Sequence, residues 1–211
     1  MKIPQRPFHY RDHRNKSAAE LFCDESSLLG LAEKYKTPLY VYSATHIVDR
    51  FKAFTSAFRR VPHTVCYSVK ANSNLAILKM LAGMNAGFDV VSGGELERVL
   101  RAGKSAVRRV VFSGVGKTRD EIDFALKCGI LIFNDESESE LALLAERAAS
   151  LKKKARMALR VNPDVFAETH PYISTGLQEH KFSGPGTPCW WTRYSLCRCR
   201  RRPGNFLFSP N

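Results

Sequence analysis

Short apolar runs and amphipathic stretches alternate along the chain from about residue 37 to residue 162. Alternation of this kind is typical of βαβ units arranged around a parallel sheet. The runs rich in β-branched and aromatic residues, which predict strands, are LYVYS (39–43), TVCYSV (64–69), FDVVS (88–92), RVVFSG (109–114), ILIFN (130–134) and MALRVN (157–162).

Three of the intervening stretches place apolar residues on one helical face. Ser73 or Asn74 can cap the second of these helices, and Ser137 with Glu140 three residues later predicts a capping box for the third. The three apolar faces consist of Ile47, Phe51, Phe54 and Phe58; of Leu75, Leu78 and Leu81 or Ala82; and of Leu141, Leu144, Ala148 and Leu151.

Two architectures fit this alternation, a doubly wound open sheet and a (β/α)8 barrel of the TIM type. Five strand-and-helix units lie between Thr64 and Asn162. A complete barrel needs eight such units and typically about 250 residues. If the fold is a barrel, these units form only part of it.

The distribution of charge along the chain bears on whether the protein binds nucleic acid. The chain has 211 residues and a net charge of +13, but residues 1–182 carry 28 basic residues interleaved with 20 acidic ones. Such mixing indicates a solvated basic surface, so we expect no nucleic-acid partner.

The chain has no apolar run long enough to cross a membrane and no secretory signal, which predicts a cytoplasmic protein. Three isolated cysteines (Cys23, Cys66 and Cys128) are expected to be buried free thiols.

The glycine-rich run SGVGKT (113–118) ends like a phosphate-binding loop but does not match one. A P-loop needs glycine at position 111, where Val111 stands, and a dinucleotide fingerprint needs glycine at position 119, where Arg119 stands. The run is therefore either a tight turn or a loop that lets a ligand approach the backbone closely.

Lys70 in YSVKAN (67–72) closes an apolar strand, just before a polar turn and a helix. Ligands bind at this end of the strands in βα folds. The lysine could be a counter-ion for a phosphate or carboxylate, or an amine nucleophile that forms a Schiff base. An exposed lysine that merely ends a strand is the alternative.

Two other ionisable groups interrupt apolar strands. Asp89 lies between Phe88 and Val90, and Arg160 lies in ALRVNP. Buried charges need partners, so we expect Lys70, Asp89 and Arg160 to face one rim with signs that could pair. Glu95 follows at the start of the next helix, where its charge suits the helix N-terminus.

Residues 37–182 closely resemble the N-terminal part of the diaminopimelate decarboxylases, which are fold-type III enzymes dependent on pyridoxal phosphate. YSVKAN and FDVVSGGE are shared with the wider superfamily of ornithine and arginine decarboxylases. The stretches that carry the resemblance are TPLYVYS, YSVKANSN, GFDVVSGGEL, VFSGVGKT, LRVNPDV, THPYISTGL and KF.

The resemblance implies an α/β fold that is an incomplete (β/α)8 barrel. It implies that Lys70 binds pyridoxal 5'-phosphate covalently, that Asp89 and Arg160 line the cofactor pocket, and that Glu95 lies near it. The implied reaction is decarboxylation of meso-diaminopimelate to L-lysine by a homodimeric enzyme, and no metal is expected. A cofactor-binding remnant without catalysis, or a related ornithine- or arginine-type decarboxylase, is the alternative.

The resemblance stops after Phe182. Residues 183–211 contain five arginines, three cysteines and both tryptophans, and they lack acidic residues. A nucleic-acid arm, a cysteine site and an out-of-frame translation product are the three interpretations, and we favour the third. The expected organisation is a lead-in (1–36), part of a cofactor-binding barrel (37–182) and an aberrant tail (183–211). The family's phosphate loop and C-terminal β-domain have no match, so we expect a poorly stable chain with little activity.

Overall fold

The computed structural model describes residues 6–12 and 19–160. The chain divides into two compact units between His63 and Thr64. The domain boundaries expected at residues 36 and 182 stay predictions. The second of them lies outside the described residues, as does the whole tail from residue 183.

The first unit contains a small antiparallel sheet that the sequence pattern did not predict. Its strands are β1 (Phe8–Arg11), β2 (Glu20–Cys23) and β3 (Ser26–Ser27), paired in the order β1-β2-β3. Strands of two to four residues are too short to display a periodic pattern. Two helices follow, α1 (Leu28–Tyr35) and the predicted α2 (Ala44–Ala57), capped by the hydroxyls of Ser27 and Ser43.

The strand predicted at LYVYS (39–43) is wrong. These residues belong to no strand, and the side chain of Tyr40 is 85% exposed. The run has the composition of a strand, but no described strand pairs with it. Composition alone does not make a strand, because the backbone hydrogen bonds of a strand require a neighbour.

The second unit confirms the other five predicted strands. They are β4 (Cys66–Ser68), β5 (Gly87–Val90), β6 (Val110–Phe112), β7 (Ile132–Asp135) and β8 (Met157–Leu159). All four neighbouring pairs are parallel, and the strands follow one another in sequence order. A doubly wound sheet would reverse its order at a switch point, so this order is that of consecutive barrel units.

Four helices connect these strands and bury the core against the sheet. They are α3 (Leu75–Gly83), α4 (Gly93–Ala102), α5 (Arg119–Cys128) and α6 (Glu138–Ser150), and two short 3₁₀ helices cover Val69–Ala71 and Lys104–Arg109. The core is formed by alternate strand residues and one face of each helix: Phe88, Val90, Phe112, Phe133, Leu78, Leu96, Ile122 and Leu144.

The helix starts show which caps the sequence predicted correctly. Asn74 caps α3 and Ser137 caps α6, as expected. The Glu140 carboxylate, however, accepts from the backbone N–H of Glu136 and not from that of Ser137, so the predicted box is only half formed. A reciprocal box does occur at α5, between Thr118 and Glu121, and the T-x-x-E spacing could have predicted it.

The intervening strand residues, among them Asp89, Val111 and Asn134, are only partly buried. Among the described residues, the sheet is therefore fully covered on one face only. All three predicted cysteines are free thiols, but the expected burial is confirmed only for Cys23, because Cys66 and Cys128 are half-buried. No helix within the described ranges is long and apolar enough to cross a membrane.

Candidate active site

Lys70 lies in the 3₁₀ turn that begins directly after β4. Val69 is completely buried and anchors the turn, whereas Lys70 is exposed beside it. Within residues 6–12 and 19–160, no acceptor takes a hydrogen bond from its amine. The turn therefore presents a primary amine at the C-terminal edge of the sheet, where βα folds bind ligands.

An open groove of roughly 640 Å³ runs between this turn and α4. Its lining includes the apolar Val69 and the polar or charged side chains of Lys70, Ser73, Glu95, Arg98 and Arg101. Lys70 and Glu95, both predicted site residues, thus border the same groove.

Glu95 lies in the first turn of α4, as the sequence predicted. Its backbone N–H donates to Ser92 Oγ at 3.2 Å, and its carboxylate accepts from the backbone N–H of Val91 at 2.8 Å. These bonds fix the Glu95 carboxylate against the end of β5. Glu95 therefore stabilises the start of α4.

Asp89 points from β5 toward the partly exposed face of the sheet. Its two carboxylate oxygens accept hydrogen bonds from the hydroxyls of Ser68 (3.0 Å) and Ser113 (2.6 Å), on the strand and loop at either side. Burial raises the pKa of the neighbouring Cys66 thiol to about 11, and the Asp89 charge adds to the rise. The sequence predicted Asp89 but gave no sign of its serine partners, which come from other units.

Arg160 does not lie inside a strand, because the ladder between β7 and β8 ends at the pair Asp135–Leu159. Its guanidinium does not bond Asp89. It pairs with the carboxylate of Glu136 instead, with Nη1 and Oε2 3.0 Å apart. The expected pairing among Lys70, Asp89 and Arg160 is therefore wrong within the described residues, because a nearer buried carboxylate binds the arginine.

The loop between β6 and α5 contains a buried lysine that the sequence analysis did not single out as a site residue. Lys117, from SGVGKT, has a side chain that is 1% exposed. Its ammonium donates to the carbonyls of Gly114 (2.9 Å) and Asn134 (2.7 Å) and to the Glu140 carboxylate (2.6 Å). All three of its N–H groups are thus used within the protein. The loop lysine is not available to a phosphate group, which agrees with the rejected P-loop motif.

Asp135 is the buried acid that lacks a partner in the described part of the chain. Its side chain is inaccessible to solvent, and neither carboxylate oxygen accepts a hydrogen bond. Burial raises the pKa of Asp135 to about 6, and the Glu140 carboxylate adds to the rise. The native chain therefore holds a proton here that the unfolded chain releases at lower pH.

Replacing Asp135 with asparagine is expected to raise the free energy of unfolding near neutral pH. The pKa of Asp135 is higher in the folded chain than in the unfolded chain. Its contribution to the free energy of unfolding is therefore fully present below about pH 4 and is lost as the pH rises through about 6. A rise of about two units corresponds to up to about 3 kcal/mol. The measurement is urea denaturation of both proteins across this range, with the exposed Asp49→Asn as control. A difference between the two curves that does not vary with pH would contradict the assignment.

Lys70 and Lys117 both follow a strand of this unit, but their amines differ in availability. Covalent attachment of an aldehyde cofactor needs a free amine that can lose its proton. Lys117 is fully bonded to two carbonyls and a carboxylate, whereas Lys70 has no described acceptor and borders an open groove. The residues present therefore fit pyridoxal phosphate at Lys70.

Comparison with known proteins identifies the family. A family model described as pyridoxal-dependent decarboxylase, pyridoxal binding domain, matches residues 44–188. The chain is 55% identical over 175 residues to a diaminopimelate decarboxylase of Pseudomonas aeruginosa, which covers 83% of this chain and 40% of that protein. It is 52% identical over 163 residues to a diaminopimelate decarboxylase of Vibrio cholerae, with 77% and 39% covered.

Solved structures agree with the barrel assignment. Diaminopimelate decarboxylase of Helicobacter pylori, complexed with L-lysine, matches with a TM-score of 0.69 at 48% identity, over 74% of this chain and 39% of that chain. Diaminopimelate decarboxylase from M. jannaschii, in co-complex with L-lysine, matches with a TM-score of 0.74 at 39% identity, over 83% of this chain and 40% of that chain. The chain spans about 40% of the length of the relatives it matches. It belongs to the pyridoxal-dependent decarboxylase family, and the matched region corresponds to the pyridoxal-binding domain.

Proposed function

We propose that this chain binds pyridoxal phosphate covalently through Lys70. The observation that supports this most directly is the amine of Lys70, which has no acceptor among the described residues and lies at the C-terminal edge of a parallel sheet, beside an open groove. The alternative candidate, the buried Lys117, is bonded at all three N–H groups. The family match over residues 44–188 supports the same cofactor.

The residues near Lys70 have distinct proposed roles. Pyridoxal phosphate, when bound, supplies an electron sink for the carbanion that decarboxylation leaves. Asp89, oriented by two serine hydroxyls, provides a fixed negative charge on the site face of the sheet. Arg160 offers a guanidinium to anionic groups, because planar guanidinium forks bind carboxylates and phosphates well. Glu95 lines the groove and holds the start of α4 beside it.

The proposed reaction is decarboxylation of meso-diaminopimelate to L-lysine and carbon dioxide. Relatives at 55% and 52% identity are diaminopimelate decarboxylases. Two solved relatives, at 48% and 39% identity, contain L-lysine, which is the expected product of the proposed reaction. Ornithine- or arginine-type specificity is less well supported, because an arginine decarboxylase from a Chlorella virus matches at only 25% identity.

The experiment is to load the purified chain with pyridoxal phosphate and add meso-diaminopimelate, ornithine or arginine separately. Released carbon dioxide and the visible absorption of the bound cofactor are followed together. Release of carbon dioxide with meso-diaminopimelate alone supports the proposal. An equal response to all three amino acids, or a response only to ornithine or arginine, contradicts the substrate. Cofactor binding without any response to the three favours a binding protein that does not catalyse the reaction.

A homodimer and a cytoplasmic location also remain predictions, as does the absence of a nucleic-acid partner. Sedimentation of the purified chain over a range of concentrations tests the first of them. A mass that stays that of one chain at all concentrations would contradict the dimer.

A further inference from the structure

The Glu136 carboxylate is the described group that holds Arg160 in place. Glu136 Oε2 lies 3.0 Å from Arg160 Nη1, and the two side chains are 3% and 34% exposed. Among residues 6–12 and 19–160, no other acceptor bonds this guanidinium. Because the carboxylate is buried and the arginine is partly free, the direction of the arginine depends on the glutamate.

Glu136 is itself held from two sides. Its Oε1 accepts from the backbone N–H of Gly114 at 3.1 Å, and its own backbone N–H donates to Glu140 Oε2 at 2.8 Å. The other oxygen of Glu140 accepts from Lys117 at 2.6 Å. A chain of charges thus runs from the buried lysine to the arginine at the edge of the sheet: Lys117, Glu140, Glu136 and Arg160. Each carboxylate pairs with one cation, and the two glutamates are joined through the backbone N–H of Glu136. A desolvated carboxylate is stable when it is bonded in this way.

The loop at Gly114 makes this arrangement possible. Gly114 adopts φ +91°, and a Cβ there would come within 3.2 Å of the Val91 side chain. In this conformation its N–H bonds Glu136 and its carbonyl accepts from Lys117. A residue with a side chain would be strained at this φ. Gly114 therefore allows the loop to bond both Glu136 and Lys117.

We infer that Glu136 is a positioning residue that fixes the Arg160 guanidinium for the anionic groups of the cofactor, with Lys117 and Glu140 holding Glu136. This rests on the proposed function for the role of Arg160. A pair that served stability alone would gain little from a partner that is one-third exposed, because solvent screens such pairs. An orienting role uses that exposure, since the free N–H groups of the arginine can meet a ligand.

The first test measures the order of the Arg160 side chain without any ligand. Side-chain ¹⁵N relaxation at Nε gives an order parameter, and Arg160→Lys assigns the signal by removing it. We expect the order parameter to fall in Glu136→Gln and to fall less in Glu136→Asp, a second variant that keeps the charge in case the first does not fold. Asp123→Asn is the matched control, because it removes the carboxylate partner of Arg147 on the helix layer, 2.6 Å away. Asp123→Asn should alter stability but not the Arg160 signal.

The second test is a double-mutant cycle on pyridoxal phosphate affinity. Hydrogen bonds to charged groups contribute enough that Glu136→Gln should weaken binding about tenfold or more. In the Arg160→Gln background the same change should have less than about a twofold effect, because the arginine it positions is gone. Asp123→Asn should leave the affinity unchanged.

Each outcome decides a different point. An unchanged order parameter in both Glu136 variants overturns the inference, and so does a lower order parameter with unaltered cofactor affinity. Equal losses of affinity in both Arg160 backgrounds also overturn it, because Glu136 would then act independently of the arginine. A wild-type chain that does not capture pyridoxal phosphate refutes the proposed function, while the order parameter still decides whether Glu136 positions Arg160.

Discussion

Replacing Lys70 with alanine is expected to abolish covalent capture of pyridoxal phosphate. Lys70 is the exposed amine at the edge of the sheet that has no described acceptor, whereas the buried Lys117 is fully bonded. Reduction of the loaded protein with borohydride makes the attachment permanent. Mass spectrometry of its peptides should then show the added mass on the peptide that contains residue 70, and no such mass in Lys70→Ala.

Lys79→Ala is the matched control for this experiment. Lys79 is an exposed lysine on α3, nine residues further along the chain. Its loss should leave the label and its position unchanged. Label that persists at full yield in Lys70→Ala would show that another amine is used and that the assignment is wrong. Label spread over many lysines would indicate reaction with surface amines only.

Replacing Lys117 with methionine is expected to lower the free energy of unfolding by about 3–5 kcal/mol, which is typical when one partner of a buried ion pair is removed. The Glu140 carboxylate, in a side chain only 8% exposed, would lose its counter-charge. The carbonyls of Gly114 and Asn134 would lose a donor. Domains of this kind are stable by only about 5–15 kcal/mol, so the loss is a large fraction of the total. Urea denaturation measures it.

The double variant Lys117→Met with Glu140→Gln tests the reason for this loss. It removes both charges, so it should be more stable than Lys117→Met alone. Lys104→Met, at an exposed position, should change stability by less than about 0.5 kcal/mol. A loss below about 1 kcal/mol in Lys117→Met would mean that the pair contributes little. In that case the chain of charges that leads to Arg160 would also lose its physical basis.

The predicted strands of the second unit were correct because a buried parallel strand needs a continuous apolar run of defined length. The runs at 64–69, 88–92, 109–114, 130–134 and 157–162 each overlap an observed strand. The run at 39–43 has the same composition and forms no strand. The difference lies in the pairing, which involves residues far apart in the chain. The strands β1, β2 and β3 show the converse, since their pairing creates a sheet from segments without a clear pattern.

In the candidate site, some residues could also be predicted from the sequence, whereas the contacts between distant residues could not. Lys70 could be predicted because its type and its place after a strand follow from neighbouring residues. Glu95 could be predicted for the same reason. The partners of Asp89 are 21 and 24 residues away, and the partner of Arg160 is 24 residues away. No local pattern encodes such contacts, and the predicted pairing of Arg160 was wrong for this reason.

The sequence by itself determined the order of strands and helices in the second unit, the helix caps at Asn74 and Ser137, and the amine at position 70. Each of these depends on a few adjacent residues, through periodicity, capping or the polarity of a strand end. Only the tertiary structure decided that Lys117 is buried and bonded, that Asp135 is buried without a described partner, and that Glu136 binds Arg160. Burial and charge pairing depend on which strands become neighbours, and parallel strands bring together residues from successive units.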